Sequence, residues 1–196
     1  MHLLVDSTGP RLCGPGEWLV EKHGSTRRRA WRKLHIGVDA DTGQIVAATL
    51  TTPDIDDASQ VGPLLDQVAS PITSFTGDGA YDRNDVHDAV PECHPEAAVI
   101  VPPRSNAVPS VAADTNPTQH DRHLQQIAAR GRLGWQSGSG YTDRALVEAD
   151  IGRFKRVIGD ALRSRTDARR ATEVAIAVRV LNRMLELGQP EHVRLA

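Results

Sequence analysis

Residues 141–155, YTDRALVEADIGRFK, carry two patterns that predict one helix with two distinct faces. Apolar side chains recur at a spacing that, at roughly 100° per residue, places them in one narrow stripe and predicts a buried seam. This stripe consists of Val147, Ile151, Phe154 and Ile158. A second stripe, about a quarter-turn away, combines a phenol, a guanidinium, a carboxylate and an ammonium. It consists of Tyr141, Arg144, Glu148 and Lys155.

Two upstream aspartates decide between a functional and an ordinary interpretation of that polar stripe. Taken alone, Arg144 and Glu148 are compatible with a solvated ion pair, because residues one helical turn apart commonly pair on helix surfaces. However, Asp6 in LLVDSTG and Asp78 in SFTGDGAYD each follow a short apolar run that is typical of a strand. Glu148 lies 70 residues after Asp78, which itself lies 72 residues after Asp6. The three carboxylates therefore span most of the chain.

The spacing Tyr-x2-Arg-x3-Glu-x6-Lys resembles the signature of DDE transposases of bacterial insertion sequences, in the insertion sequence four and five groups. The resemblance implies that Asp6, Asp78 and Glu148 are the catalytic residues and hold the metal ions. It also implies double-stranded DNA as the partner, both element ends and target, bound by a homodimer that assembles on the DNA. Tyr141, Arg144 and Lys155 are then expected to contact that DNA.

The chemistry of strand cleavage suits this set of residues. Two Mg²⁺ ions, roughly 3.5–4 Å apart, activate the attacking water and stabilise the leaving oxygen of an in-line displacement. Mg²⁺ prefers carboxylate and water oxygens, so two aspartates and a glutamate are suitable ligands, and Mn²⁺ could substitute. Gly77 and Gly79 lack a Cβ, and we expect them to let a phosphate backbone approach Asp78 closely.

The order of predicted elements indicates an α/β fold, a ribonuclease-H-like mixed sheet of three antiparallel and two parallel strands flanked by helices. The predicted strands are residues 3–5, 31–39, 44–51, 72–76 and 97–101, and the predicted helices are residues 56–68, 84–90, 120–130, 141–155 and 171–187. We expect residues 1–187 to form the catalytic domain and residues 188–196 a C-terminal tail. In this arrangement, the ends of the first and fourth strands lie side by side.

Local chemistry gives six finer expectations. Asp39 in DADTG is a turn residue, and Asp56 caps the helix that follows it. The strand at residues 31–39 alternates and should be half-buried, whereas the helix at 171–187 is apolar almost all round and should be buried on more than one side. Residues 104–119 form a mobile loop, and WQSGSG, residues 135–140, is a flexible lead-in to the signature helix.

Positive charge is concentrated in two segments, although the net charge is −2. Residues 22–33 hold six Lys or Arg and no acid, and residues 153–170 hold seven against Asp160 and Asp167. Phosphate binding depends on where positive charge lies, because each neutralised phosphate releases a counterion locally. We therefore assign DNA binding also to residues of the first segment: Arg27, Arg28, Arg29, Arg32 and Lys33.

Composition places the chain among intracellular globular proteins. Hydrophobic residues make up 39% of the 196 residues, and no run is long enough to span a membrane. The N-terminus lacks a secretory signal pattern, and the only cysteines, Cys13 and Cys93, imply no disulfide framework. We expect a cytoplasmic, nucleoid-associated bacterial protein.

Three alternatives stay open. GDGAYD resembles the Mg²⁺ loop of haloacid-dehalogenase-like phosphatases, although Thr8 stands where that family needs a second aspartate. A zinc site could draw on Cys93, His94, His120 and His123, but their spacing does not fit a usual zinc pattern. The chain could also be a catalytically silent DNA-binding remnant of a mobile element.

The resembled family carries a helical DNA-binding region before the first catalytic strand, whereas five residues precede Asp6 here. This predicts either a truncated copy or the second reading frame of a frameshifted product. Specificity needs base-edge contacts, and the basic segments suit phosphates alone. We therefore expect the chain by itself to bind DNA weakly and without preference for the element ends.

Overall fold

The computed structural model describes residues 1–13 and 31–188, and its centre is a five-stranded mixed sheet. The strands are β1 His2–Thr8, β3 Lys33–Asp39, β4 Ile45–Thr51, β5 Ser74–Thr76 and β6 Ala98–Ile100. Their spatial order is β4-β3-β1-β5-β6, with β1, β3 and β4 antiparallel and with β5 and β6 parallel to β1. This confirms the predicted ribonuclease-H-like sheet of three antiparallel and two parallel strands. Two further short strands, β2 Arg11–Leu12 and β7 Ala161–Leu162, pair in parallel beside it.

Helices cover both faces of the sheet. They are α1 Val61–Leu65, α2 Asn84–Cys93, α3 Gln119–Ser139, α4 Ala145–Val157 and α5 Asp167–Glu186. On one face, Leu3 and Val5 of β1 belong to a core cluster that includes apolar residues of α1 and α2. On the other, Leu4 and neighbouring residues of β3 belong to a second cluster with α4 and α5. None of the helices in the described ranges is long and apolar enough to cross a membrane.

Coverage on both faces explains why the half-buried prediction for β3 is wrong. Leu34, Ile36 and Val38 face the α4 and α5 side as expected, yet His35 between them is fully buried as well. Strict alternation marks a strand with one solvated face. Here the opposite face is covered too, so the polar residues of the pattern lie in the interior.

The signature segment is a helix, but it begins differently from the prediction. Tyr141–Arg144 forms a 3-10 turn, and the α-helix proper starts at Ala145. Gly140, with a φ of 79°, separates this turn from α3. WQSGSG is therefore not a flexible lead-in: all but its last residue belong to α3, which deviates from helical geometry only at Gly131. Trp135 holds this part of α3, because its ring is almost fully buried.

The predictions of a mobile loop at residues 104–119 and of a helix cap at Asp56 both need correction. Of the loop predicted at residues 104–119, residues 104–118 contain no helix or strand and Gln119 begins α3, but the segment is anchored: the backbone N–H of Ser110 donates to Asp121 at 2.7 Å. Asp56 caps no helix; it forms an ion pair with Arg83, and a 3-10 turn at Ala58–Gln60 precedes a shorter α1. Asp39 is a turn residue as predicted, since its carboxylate accepts a hydrogen bond from the Thr42 hydroxyl.

The last helix is less buried than its composition predicts. Val174, Ala177 and Leu181 of α5 pack into the core, whereas Ile176 and Val180 are 56% and 42% exposed. The prediction of burial on more than one side is therefore wrong for the part of the chain that the structure describes. Composition counts apolar residues, but only the contact with β4 and its neighbours decides which of them face the sheet.

Candidate active site

Asp6 and Asp78 lie at the same edge of the sheet. β1 and β5 are adjacent parallel strands, with Leu4 opposite Thr76, so their C-terminal ends meet there. Asp6 lies within β1, and its Oδ1 accepts a 2.7 Å hydrogen bond from the backbone N–H of Ser7. Asp78 follows β5 directly after Gly77 and caps a 3-10 turn, because its Oδ1 accepts from the Ala80 N–H at 2.8 Å. Both side chains are therefore held by local backbone.

Gly77 was expected to let a phosphate backbone approach, but the structure requires a glycine there because of the neighbouring Tyr81 ring. A Cβ at Gly77 would lie 2.7 Å from the ring of Tyr81, whereas a Cβ at Gly79 would meet nothing nearer than the Pro102 carbonyl at 3.8 Å. Tyr81 is itself buried and packs edge-on against Phe75. Gly77 thus lets the loop that carries Asp78 lie over an internal aromatic ring, and only Gly79 leaves open space.

Arg144 joins the third carboxylate to the other two. Its Nη1 donates to Glu148 Oε1 at 2.5 Å, and its Nη2 donates to Asp6 Oδ2 at 2.9 Å. The same Nη2 lies 3.7 Å from Asp78 Oδ2. Glu148 stands in the first turn of α4, one turn after Arg144, so the predicted i,i+4 relationship is present. Arg144 also contacts Asp6 of β1 and Asp78 of the loop after β5, so its interaction with Glu148 is not an isolated surface ion pair.

Electrostatics at the site reflect burial and clustering. Burial raises the pKa of Asp6 above its usual value, with Asp78 and Glu148 adding to the rise, against the Ser7 N–H and the Arg144 charge. Burial works against the charged form of Arg144 as well, but the carboxylates outweigh it and raise its pKa. Burial and the same two carboxylates, Asp78 and Glu148, also raise the pKa of Tyr141, although Arg144 opposes them.

The remaining residues predicted to contact DNA differ in exposure and in their partners within the protein. Tyr141 packs against Trp135, with ring centroids 5.4 Å apart, and lies beside Arg144. Lys155 is exposed near the end of α4. Arg32 pairs with Asp167 at 2.9 Å, and Lys33 is engaged inside the protein. Arg27, Arg28 and Arg29 lie outside the described residues.

Lys33 belongs to a buried polar network that sequence reasoning missed. Its Nζ donates to the Ile55 carbonyl at 2.9 Å and to Asp57 Oδ2 at 3.1 Å. Asp57 also lies 3.2 Å from Nδ1 of the fully buried His35, whose Nε2 contacts the Thr51 hydroxyl at 2.9 Å. Burial pushes the pKa of Asp57 up, but His35, Ser7 and Lys33 together outweigh it and hold that pKa well below its usual range. His35 and Lys33 stand at the polar positions of the alternation in β3, so the sequence pattern gave no signal of this network.

Two histidines of the zinc alternative, His120 and His123, are engaged elsewhere. His120 Nε2 lies 3.2 Å from Asp82, while the two ring nitrogens of His123 contact the Val99 carbonyl at 2.8 Å and the Trp135 indole N–H at 2.6 Å. Within residues 1–13 and 31–188, no group of three or more His, Cys, Asp or Glu side chains is arranged to hold a metal ion. At the Asp6, Asp78 and Glu148 cluster, the guanidinium of Arg144 lies among the oxygens.

The donor set at that cluster nevertheless fits a hard divalent cation. Three carboxylates converge from three elements, and carboxylate oxygens are the ligands that Mg²⁺ and Mn²⁺ prefer. The raised pKa of Asp6 indicates that the single positive charge of Arg144 does not fully offset burial and the neighbouring carboxylates. A divalent cation would supply more positive charge at the same place.

Fold and site together define an α/β protein of the ribonuclease-H-like type with a carboxylate cluster at the sheet edge. The chain belongs to the transposase DDE domain family, which matches residues 1–183. This confirms the predicted DDE transposase resemblance, and the protein is a transposase. Members of this family act on DNA and generally use divalent metals. The match also argues against the phosphatase alternative.

Proposed function

We propose that this transposase catalyses Mg²⁺-dependent DNA strand cleavage and strand transfer, with Asp6, Asp78 and Glu148 as its catalytic carboxylates. The observation that carries the proposal is their convergence: residues from β1, from the loop after β5 and from α4 all lie within 3.7 Å of one guanidinium. The signature spacing supports an enzyme of the insertion sequence four and five groups.

The three carboxylates are the proposed metal ligands. When bound, a pair of Mg²⁺ ions lowers the pKa of a water and stabilises the oxygen that leaves phosphorus. The chain fixes where this happens: the Ser7 and Ala80 N–H groups orient Asp6 and Asp78, and the first turn of α4 carries Glu148. Such orientation by neighbouring groups is what gives an active site its geometric precision.

The reaction proceeds in two displacements at phosphorus. Water attacks a phosphodiester at the element end, the bond from phosphorus to the 3′ oxygen breaks, and the 3′ oxygen leaves as a hydroxyl after protonation. That hydroxyl then attacks a phosphodiester of the target, forms a new bond to phosphorus and displaces the target's own 3′ oxygen. Neither step needs an oxidant or an external energy source, because the first is a hydrolysis driven by water and the second exchanges one phosphodiester for another.

The cationic and aromatic residues position the DNA. Lys155, exposed on α4, is available to a phosphate, and Arg144 lies beside the reacting centre. Tyr141 precedes α4 in the same turn as Arg144 and packs against Trp135. An aromatic ring at this position can stack on an exposed base. Arg27, Arg28, Arg29 and Arg32 remain proposed contributors to the basic surface, whereas the predicted contact of Lys33 is not proposed again, because its ammonium is bound by the Ile55 carbonyl and by Asp57. We further propose that the enzyme assembles as a homodimer on nucleoid DNA.

A cleavage assay tests this function against the silent-remnant alternative. The substrate is a duplex that carries the inverted repeats flanking the gene, and a scrambled duplex is the control. We expect strand-specific cuts at the repeat ends that require Mg²⁺ or Mn²⁺ and that are absent with Asp6→Asn. Metal-dependent cutting that survives in Asp6→Asn would show that a contaminating nuclease is responsible. A complete absence of cleavage would favour the silent remnant.

A further inference from the structure

Arg144 occupies the place where a cation at this site would bind. One guanidinium contacts all three carboxylates, at 2.5 Å to Glu148, 2.9 Å to Asp6 and 3.7 Å to Asp78. Its side chain is 17% exposed, and its Nε is buried without a hydrogen-bond partner in the part of the chain that the structure describes. A structural ion pair would be expected to satisfy a buried guanidinium N–H, so this fit is incomplete.

The contacts of Arg144 involve the oxygens that a metal would use. Asp6 Oδ1 and Asp78 Oδ1 accept backbone N–H groups, and their Oδ2 atoms are the ones directed at Arg144. A metal that binds these Oδ2 atoms must therefore displace the Nη2 group that lies between them.

The charge balance favours such a displacement. Three carboxylates within reach of one another repel, and a guanidinium offsets only one of the three charges. Arg144 lies in the Tyr141–Arg144 turn that precedes α4, so its guanidinium and the Glu148 carboxylate are carried by different elements of the backbone. A displaced guanidinium at that position is suited to bidentate binding of a phosphate.

We infer that Arg144 is an internal competitor of the metal: without DNA its guanidinium closes the carboxylate site, and it exchanges this position for a DNA phosphate when metal binds. Metal loading and phosphate binding are then coupled, and by linkage each favours the other. The inference rests on the proposed function, because it takes Asp6, Asp78 and Glu148 as the metal ligands. It adds that the enzyme resists metal loading while it is free of DNA.

Calorimetric titration of the DNA-free chain with Mn²⁺ tests the inference. The variants are Arg144→Gln, which removes the charge, and Arg144→Met, which keeps the aliphatic stem if the glutamine variant folds poorly. Arg156→Gln is the matched control, since Arg156 is an exposed arginine on α4, the helix that follows the turn of Arg144. We expect either Arg144 variant to bind Mn²⁺ about tenfold more tightly than the wild type, as loss of a competing charged hydrogen bond implies. Arg156→Gln should match the wild type.

Addition of Asp6→Asn to each protein distinguishes a failure of the proposed metal site from a failure of the proposed competition by Arg144. If Mn²⁺ binds the wild type and both Arg144 variants equally, and Asp6→Asn abolishes that binding, the metal site stands and the competition is refuted. Weaker binding by the Arg144 variants refutes it as well. If no protein shows saturable binding that depends on Asp6, the metal-site proposal and the inference fail together.

Discussion

Arg144 and Asp6, 138 residues apart in the chain, are joined by a 2.9 Å hydrogen bond from the guanidinium Nη2 to the carboxylate Oδ2. The contact links the turn before α4 to the central strand of the sheet. It places the polar stripe of the signature helix over the edge where β1 and β5 end. The site is therefore assembled from segments that are distant in sequence and meet only in the folded structure.

Asparagine or glutamine in place of each carboxylate should separate catalysis from folding. We expect Asp6→Asn, Asp78→Asn and Glu148→Gln each to reduce strand cleavage below detection while the fold is kept. Mg²⁺ should raise the melting temperature of the wild type more than that of any variant, because a ligand stabilises only the state that binds it. Thermal unfolding with and without Mg²⁺ measures this, and equal stabilisation of all four proteins would contradict the metal-site assignment.

Asp6 should also give a distinctive pH dependence of stability. Its folded-state pKa is raised, chiefly by burial, so the folded state holds its proton up to a higher pH than the unfolded state does. Stability is then lost as the pH rises from the ordinary carboxyl value of 3.8 through the folded pKa, and the deficit persists at neutral pH.

Asp6→Asn removes that deficit without changing the size of the side chain. The metal-free variant should be more stable than the wild type at pH 7, and the difference should vanish as the pH falls to the ordinary carboxyl value of 3.8. Urea denaturation across this range measures the free energy of unfolding. A variant that is less stable at pH 7 would show that the Arg144 pair outweighs burial.

Lys155 should act on DNA and not on the fold. Lys155→Ala removes an exposed charge near the end of α4, so it should lower the salt slope of DNA binding by about one unit, the effect of one lost phosphate contact. Binding titrations at several salt concentrations measure the slope. An unchanged affinity and slope would identify Lys155 as a solvated surface lysine.

Lys33 should behave in the opposite way, because the structure gives it internal partners. Lys33→Ala leaves Asp57 without its ammonium partner, and an unsatisfied buried group costs about 1–3 kcal/mol. The free energy of unfolding should fall by that amount, whereas Lys155→Ala, at an exposed position, should change it by less than about 0.5 kcal/mol. Urea denaturation of the two variants makes the comparison. Equal stabilities would mean that Asp57 is adequately satisfied by His35 and water.

Two neighbouring glycines provide a matched pair around Asp78. Gly77→Ala forces a Cβ to within 2.7 Å of the Tyr81 ring, so we expect a loss of about 1–3 kcal/mol, typical of overpacking. Gly79→Ala meets only the Pro102 carbonyl at 3.8 Å and should be tolerated in the absence of DNA. If a phosphate backbone approaches Gly79, its alanine variant should still lose DNA affinity, which binding measurements on the folded protein would detect.

The sequence by itself determined the fold class and the chemical types at the site. Hydrophobic periodicity is a local property, so the strands ending near Asp6 and Asp78 and the seam of Val147, Ile151 and Phe154 could be predicted residue by residue. The alternation of strands and helices then restricted the topology. The spacing of Arg144 and Glu148 was compatible with the i,i+4 ion pair that the structure contains, since such a pair depends only on the turn and helix that carry the two residues.

Only the tertiary structure decided how these parts meet. The burial of His35 depends on helices that cover both sheet faces, and the pairing of Lys33 with Asp57 joins residues 24 positions apart. Lys33 lies in a basic run that predicts a DNA surface, yet its ammonium donates to the half-buried carboxylate of Asp57. The position of Arg144 among the carboxylates likewise follows from packing α4 against β1. Such contacts depend on long-range packing, which local pattern does not encode.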